Sequence, residues 1–271
     1  MRRLIMKTLK KTLSVIIAVS ITVLALAGCG GSKPEESVEI TVFAAASMTE
    51  TMTAITDKYT ADHPGVTIIT NFGSSGTLKT QIEGGAECDI FISAAPKQMN
   101  ELEEEGMINS ETRFDLLENK VTLVVPEGNP KNINSFDDLI KGLNEGNILL
   151  AIGNEDVPVG QYTLKIFDYF GLDIAALEGA HVISYGKDVK EVTGQVGTAS
   201  VDCGIIYATD AFSEGLTVVA SATPEMCGQV IYPAALLSGS ENAEAAKAFL
   251  EYLTSDEASQ IFESVGFTVI K

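Results

Sequence analysis

Short apolar runs alternate with stretches of helical apolar spacing, and this alternation constrains the chain more than any other feature. Val38 to Ala46 reads V-E-I-T-V-F-A-A-A, a β-rich run of the kind buried on both faces of a parallel sheet. Met48, Met52, Ile55 and Tyr59 then recur at helical spacing until His63-Pro64-Gly65 breaks the helix. Further strands are predicted over Val66 to Asn71, Asp89 to Ser93, Lys120 to Val125, Ile148 to Ile152, His181 to Tyr185, Gly204 to Tyr207 and Leu216 to Ala220. Between them, helices are predicted around Leu78 and Ile82, Pro96 to Glu105, Leu164 to Phe170 and Val189 to Val196. An extended segment, Gln229 to Leu237, precedes a last helix with Ala246, Phe249, Leu250 and Leu253 on one face. Such alternation predicts an α/β fold with parallel sheets. The 234 residues from 38 to 271 suffice for one large domain or two lobes with separate cores.

The N-terminus has a different character. Arg2, Arg3, Lys7, Lys10 and Lys11 precede an uncharged apolar stretch from Leu13 to Ala27, the layout of a secretory signal and too short to span a membrane comfortably. It ends in Leu26-Ala27-Gly28-Cys29, which resembles the lipobox of bacterial lipoproteins, where cleavage precedes the cysteine and its thiol takes a lipid. Residues 1–28 are therefore expected to be a signal peptide, with the mature chain anchored to the membrane, outside the cytoplasm, through Cys29. Residues 29–37, with two glycines and a proline and hardly an apolar side chain, read as a flexible tether.

Charge and cysteines narrow the function classes. The chain carries a formal charge of −19, and losing residues 1–28, with five basic and no acidic side chains, takes it to −24. That field repels nucleic acid and anionic lipid surfaces. An anion site in such a molecule must rely on short-range donors in a closed pocket, which screening over roughly 8 Å at physiological salt permits. Beyond Cys29 stand Cys88, Cys203 and Cys227, without C-x-x-C spacing or nearby histidines, so no zinc site is expected. Cys203 and Cys227 suit either a disulfide or buried free thiols.

Four junctions between strand and helix offer backbone N–H groups to an anion, at the edge where open α/β sheets place ligands. They are Ala44-Ala45-Ala46-Ser47, with Ser47 and Glu50 spaced as a capping box; Asn71-Phe72-Gly73-Ser74-Ser75-Gly76-Thr77; Val157-Pro158-Val159-Gly160, with proline in a helical first turn; and Gly186-Lys187-Asp188-Val189. Each has an ordinary structural explanation. Ser47 taken alone is a plain N-cap, Ser74 and Ser75 are turn residues, Val159 and Val189 are helix-start or core positions, and Tyr207 is a core aromatic.

In combination these segments carry more. Ala44-Ala45-Ala46-Ser47-Met48-Thr49, Phe72-Gly73-Ser74-Ser75-Gly76-Thr77-Leu78, Asp89-Ile90-Phe91-Ile92-Ser93-Ala94, Val157-Pro158-Val159-Gly160, Gly204-Ile205-Ile206-Tyr207 and Gly266-Phe267-Thr268-Val269 follow the order found in the molybdate-binding proteins of ABC importers. The resemblance covers residues 38 to 271. It implies a two-lobed periplasmic-binding-protein fold of type II, each lobe a mainly parallel sheet flanked by helices. The expected lobes are 38–119 with 232–271, and 120–231, joined by crossings near Lys120 to Val125 and Gln229 to Leu237. It implies that molybdate, and tungstate of nearly the same size and charge, is held in the cleft as the oxyanion, with molybdenum not directly coordinated. The hydroxyls of Ser47, Ser75 and Tyr207 and the main-chain N–H groups of Ser47, Ser75, Val159 and Val189 would hold it. The family usually has alanine where Val159 stands. No catalytic residue or cofactor is implied; the partners are the anion and the importer's permease, and a monomer is expected.

Two rival readings remain open. A receptor for sulfate, phosphate or an organic anion shares most of these features, although the absence of arginine from the loops argues against carboxylates. An extracellular hydrolase is the other; Gly73-Ser74-Ser75-Gly76 falls short of G-x-S-x-G at Thr77, and only His63 and His181 are available as a histidine base. Ser75→Ala is expected to weaken anion capture with little loss of fold stability.

Overall fold

The computed structural model describes residues 37–270. The signal peptide, Cys29 and all but the last residue of the tether lie outside them.

The strands are β1 (Val38–Ala45), β2 (Val66–Gly73), β3 (Ile90–Ile92), β4 (Phe114–Asn119), β5 (Val121–Val125), β6 (Leu150–Gly153), β7 (Ile183–Gly186), β8 (Cys203–Tyr207), β9 (Thr217–Ser221), β10 (Val230–Leu236) and β11 (Thr268–Val269). The α-helices are α1 (Thr49–Asp62), α2 (Ser75–Glu83), α3 (Pro96–Glu104), α4 (Phe136–Glu145), α5 (Pro158–Phe170), α6 (Ile174–Gly179), α7 (Val189–Gly197), α8 (Ala208–Ser213), α9 (Pro224–Cys227), α10 (Ala243–Tyr252) and α11 (Asp256–Ser264).

Two sheets organise these elements into a two-lobed α/β molecule. The first is six-stranded in the order β11-β4-β10-β3-β1-β2, the second five-stranded in the order β7-β6-β8-β5-β9. Each is mixed. In the first, β1 runs parallel to β2 and β3, while β10 is antiparallel to β3 and β4, and β11 to β4. In the second, β6 runs parallel to β7 and β8, while β5 is antiparallel to β8 and β9. The parallel parts hold the strand–helix units read from the sequence; the antiparallel parts lie where the chain passes between sheets. One passage is at Lys120, the single residue between β4 and β5, and the other lies between β9 and β10.

The periodicities were informative about packing. Met48, Met52, Ile55 and Tyr59 are buried together, as are Ala246, Phe249 and Leu250 on α10 and Leu253 at its C-cap. Ile40, Val42 and Ala44 of β1 are fully buried, as a strand enclosed by helices requires. Side chains this size each contribute roughly 1.5–3 kcal/mol on burial, so the cores of both lobes fix their strands firmly.

Register brings the loops together. Ala45 of β1 is level with Gly73 of β2, and Ala44 with Ile92 of β3. The segments that follow, holding Ser47, Ser75 and Ala94, leave the same edge. In the second sheet Gly153 is level with Gly186, and Gly204 with Ala151, so the starts of α5 and α7 and the end of β8 at Tyr207 share an edge too. Both are carboxyl edges of parallel strands, where helix N-termini present free N–H groups.

Candidate functional site

The local structure sorts the candidate serines. After β1 the chain makes a 3-10 turn, Ala46–Met48, and α1 starts only at Thr49 with Met48 as its N-cap and no side-chain cap bond. Ser47 thus lies ahead of the cap position, and the capping box expected of Ser47 and Glu50 does not form. Its Oγ lies instead 2.9 Å from the Tyr232 hydroxyl. On the second loop Ser74 is the N-cap, accepting from the Thr77 N–H at 3.1 Å. That leaves Ser75 as the first residue of α2, fully buried, with its Oγ accepting the Ala94 N–H at 3.0 Å.

The second lobe supplies helix starts. Val157 is the N-cap of α5, Pro158 its first residue and Val159 its second. Proline has no N–H to strand, and the Val159 N–H belongs to a first turn that lacks intrahelical acceptors. Asp188 caps α7, accepting from the Glu191 N–H at 2.8 Å, while the Glu191 carboxylate accepts the Lys187 N–H at 2.8 Å. This places Val189 in the first turn. Tyr207 ends β8, buried, with its hydroxyl 3.4 Å from the Ala94 carbonyl oxygen, a long contact that a better acceptor would displace.

These pieces enclose one small cavity lined by Ala45, Ala46, Ser47, Gly73, Ser74, Ser75, Ala94, Val157, Pro158, Val189 and Tyr207. Four of the five residues expected to hold an anion are in this lining. The fifth, Val159, is fully buried beside it, with Val157 and Pro158 at the wall. The cavity leaves about 10 Å³ for the centre of a water-sized sphere, the room of about one water molecule. A larger groove of about 640 Å³ runs between α3 and α5, lined by Lys97, Glu101, Glu104 and Lys165 among others. Its exposed lining of mixed charge suits hydration rather than stripping an ion of its water. The small cavity is the better candidate because its wall is a set of convergent neutral donors.

Tyr207 is the one titratable side chain in that wall, and burial pushes its hydroxyl well above the ordinary value, so it stays protonated and able to donate. The two histidines lie elsewhere. His63 follows the end of α1, stacked on Tyr59 with centroids 4.0 Å apart, and His181 follows α6 with a φ of 57°. Neither is placed to serve Ser75 as a base. Among the described residues no cluster of His, Cys, Asp and Glu is placed to hold a metal ion, and no helix is long and apolar enough to cross a membrane. Cys88, Cys203 and Cys227 are free thiols, so Cys203 and Cys227 do not pair.

Several residues at the site escaped the sequence reading. The Gly76 N–H donates to the Asp156 carbonyl at 3.0 Å, joining α2 to the loop before α5 across the seam between lobes. Lys190 on α7 reaches the Glu50 carboxylate on α1 at 2.8 Å and Asp210 on α8 at 3.4 Å. Asp210 is buried, and apart from this long contact with Lys190 its carboxylate oxygens have no hydrogen-bonding side-chain partner among the described residues. Burial pushes Asp210 up to about 7, outweighing the Lys190 ammonium that pulls it down. Burial also tends to lower Lys190, but Asp210 and Glu50 together hold it above its ordinary value. Tyr232 on β10 and Asn119 at the end of β4 complete the surroundings: the Asn119 amide nitrogen lies 3.2 Å from the Tyr232 hydroxyl and 2.9 Å from the Thr209 hydroxyl. No motif marks these positions; a tyrosine in V-I-Y-P-A-A-L reads as core.

The arrangement has known counterparts. A family model described as bacterial extracellular solute-binding protein matches residues 40–268. The molybdate-binding protein ModA of Escherichia coli is 35% identical over 252 residues, 91% of this chain and 95% of its own length. ModA of Haemophilus influenzae is 34% identical over 253 residues, 91% of this chain and 96% of its own. Among solved structures, the periplasmic molybdate-binding protein of Azotobacter vinelandii superposes with a TM-score of 0.74 over 86% of this chain and 100% of its own, at 18% identity, which speaks to the fold. With the family model spanning almost the whole described body and two relatives above 30% identity over nine-tenths of the chain, this protein belongs to the bacterial extracellular solute-binding proteins.

Proposed function

We propose that this protein is the extracytoplasmic solute-binding component of an ABC importer, capturing molybdate, and tungstate with it, in the cleft between its lobes. The observation that carries this reading is the small buried cavity whose polar wall consists of neutral donors drawn from both sheets, in a chain whose curated relatives are named molybdate-binding proteins. The hydroxyls of Ser47, Ser75 and Tyr207 and the amides of Ser47, Ser75, Val159 and Val189 would replace the water shell of a tetrahedral dianion. Neutral donors do not titrate away near neutral pH, and buried they act in a medium that strengthens each bond. Lobes 38–119 with 232–271 and 120–231 would close about the ion, and the permease would recognise the closed form. The role is capture and release without bond chemistry. Leu26-Ala27-Gly28-Cys29 supports a lipid on Cys29 as the membrane anchor, with the mature body acting as a monomer.

Sulfate is the rival ion, since it too is a proton-free tetrahedral dianion. Size would tell the two apart: donors spaced to meet molybdate's oxygens would leave sulfate with long bonds, at about 1–3 kcal/mol for each buried group left unpaired. Titration calorimetry of the purified protein with molybdate, tungstate, sulfate and phosphate is the test. Molybdate and tungstate should bind alike and at least about tenfold more tightly than sulfate. Strong sulfate binding with none of molybdate would overturn the assignment.

A further inference from the structure

Glu50 has the spacing of a capping-box partner to Ser47, yet it does not turn back to cap α1. Its carboxylate reaches across the seam instead, accepting from the Lys190 ammonium through both oxygens, at 2.8 and 2.9 Å. Helix α1, which carries Glu50, packs on β1 and β2 of the first sheet, whereas α7, which carries Lys190, packs on β6, β7 and β8 of the second. Among the described residues this is the one ion pair that crosses between the lobes; every other lies within one of them.

The place of the crossing is informative. Glu50 follows Ser47 by three residues, Lys190 directly follows Val189, and both Ser47 and Val189 line the cavity. Helix α7 also packs against the 3-10 turn that carries Ser47. The bridge therefore ties together two stretches of main chain, one from each lobe, whose N–H groups would face the ion.

Its two ends are held differently. Asp210 is buried on α8, in the same lobe as Lys190 and 3.4 Å from the ammonium, so this half of the arrangement does not depend on the lobes meeting. Glu50 has a side chain 46% exposed and pairs with no other cation among the described residues. Burial works against the charge on Lys190, but Asp210 and Glu50 together hold the ammonium above its ordinary value, and it arrives at the seam charged.

We propose that the Glu50–Lys190 bridge is a latch that forms as the lobes close and sets how long the ion is retained, with Asp210 as the anchor that keeps the ammonium at the seam. The inference rests on the reading of the cavity as an ion-capture site. A bridge made only in the closed form stabilises that form alone, so losing it speeds release without slowing the encounter of the ion with the open cleft. Electrostatics without a latch predicts the opposite sign. Removing a carboxylate beside an anion site lessens repulsion and tightens binding.

Glu50→Gln separates the two. Calorimetry and stopped-flow kinetics with molybdate on the unmodified protein, Glu50→Gln, Lys190→Gln and the double variant provide the test, with thermal melts to follow the fold. Glu50→Gln should weaken binding about two- to fivefold, the range of a partly exposed ion pair, through faster dissociation at an unreduced association rate. The loss in the double variant should be smaller than the two single losses combined, because both remove the same interaction. Unchanged or tighter binding by Glu50→Gln overturns the proposal, as do losses that simply add. Should Lys190→Gln fail to fold because it deprives the buried Asp210 of its cation, Glu50→Gln decides alone, since it leaves that pair in place. If the unmodified protein binds no molybdate, the ion-capture reading fails and the latch with it, an outcome distinct from Glu50→Gln retaining the ion as long as the unmodified protein does.

Discussion

Ser74 and Ser75 are adjacent and chemically identical, yet the start of α2 gives them separate duties. Ser74 caps the helix through the Thr77 N–H, and Ser75 lines the cavity with the Ala94 N–H on its oxygen. Ser74→Ala should cost about 1 kcal/mol of stability, as lost caps do, with affinity for molybdate little changed. Ser75→Ala should weaken molybdate binding, and it should also destabilise the fold by about 1–3 kcal/mol, because it strands the buried Ala94 amide. The small stability loss expected from sequence gives way to this contact. Urea melts paired with calorimetry would separate the two serines; equal affinity loss in both variants would contradict the assignment. Turn and helix signals alone could not make this distinction, because one residue of helix register decides which hydroxyl caps and which faces inward; it was the family resemblance that pointed to Ser75. The same holds for Ser47, whose capping spacing was genuine but was bypassed by one 3-10 turn.

At the scale of elements, what was legible was burial. The apolar runs of β1, β5 and β8 announced strands enclosed on both faces, and the turn residues bounded them. Strand direction was not legible, because an apolar run looks alike in parallel and antiparallel company; Val121–Val125 joins its neighbours antiparallel. Phe114–Asn119 was missed as a strand of its own, since only Lys120 divides it from β5 and the two belong to different sheets. The short helices α6, α8 and α9 have too few turns to show a period. The contact of α2 with the loop before α5 was equally hidden, and it carries a prediction. A Cβ on Gly76 would run into the Asp156 carbonyl and stand 2.9 Å from the Asp156 Cα. Backbone cannot yield as a side-chain tip does, so Gly76→Ala should hold the lobes apart while leaving each core intact. If the usual overpacking cost of about 1–3 kcal/mol falls on the closed state alone, the apparent affinity for molybdate drops by about 5- to 150-fold. Small-angle scattering with and without molybdate would report the incomplete closure. A variant that closes and binds as the unmodified protein does would show that the seam is looser than this contact implies.

Across the whole molecule, closure brings charge together in a chain whose formal charge over all 271 residues is −19. Lys190 is the cation at the seam, shared between Glu50 on one side and the buried Asp210 on the other. Asp210 gains from a proton in the folded state, because burial raises it from 3.8 to about 7, whereas the unfolded chain would lose that proton near 3.8. The folded state therefore binds more protons than the unfolded one between those values. This contribution to stability is fully present below about pH 4 and is lost as pH rises through about 7. Asp210→Asn should flatten the dependence and be the more stable form at pH 8, by an amount on the order of a few kcal/mol. Ligand capture extends the same linkage. The Asp210 charge acts on the Tyr207 and Tyr232 hydroxyls beside the cavity, so a dianion seated there would oppose its ionisation and raise its pKa further. Molybdate binding near pH 7 should then take up a fraction of a proton, and affinity should fall as pH rises from about 6 to 8. Calorimetry in buffers of differing ionisation heat measures that uptake directly. Asp210→Asn should abolish it, and uptake that persists undiminished in this variant would place the linked proton elsewhere.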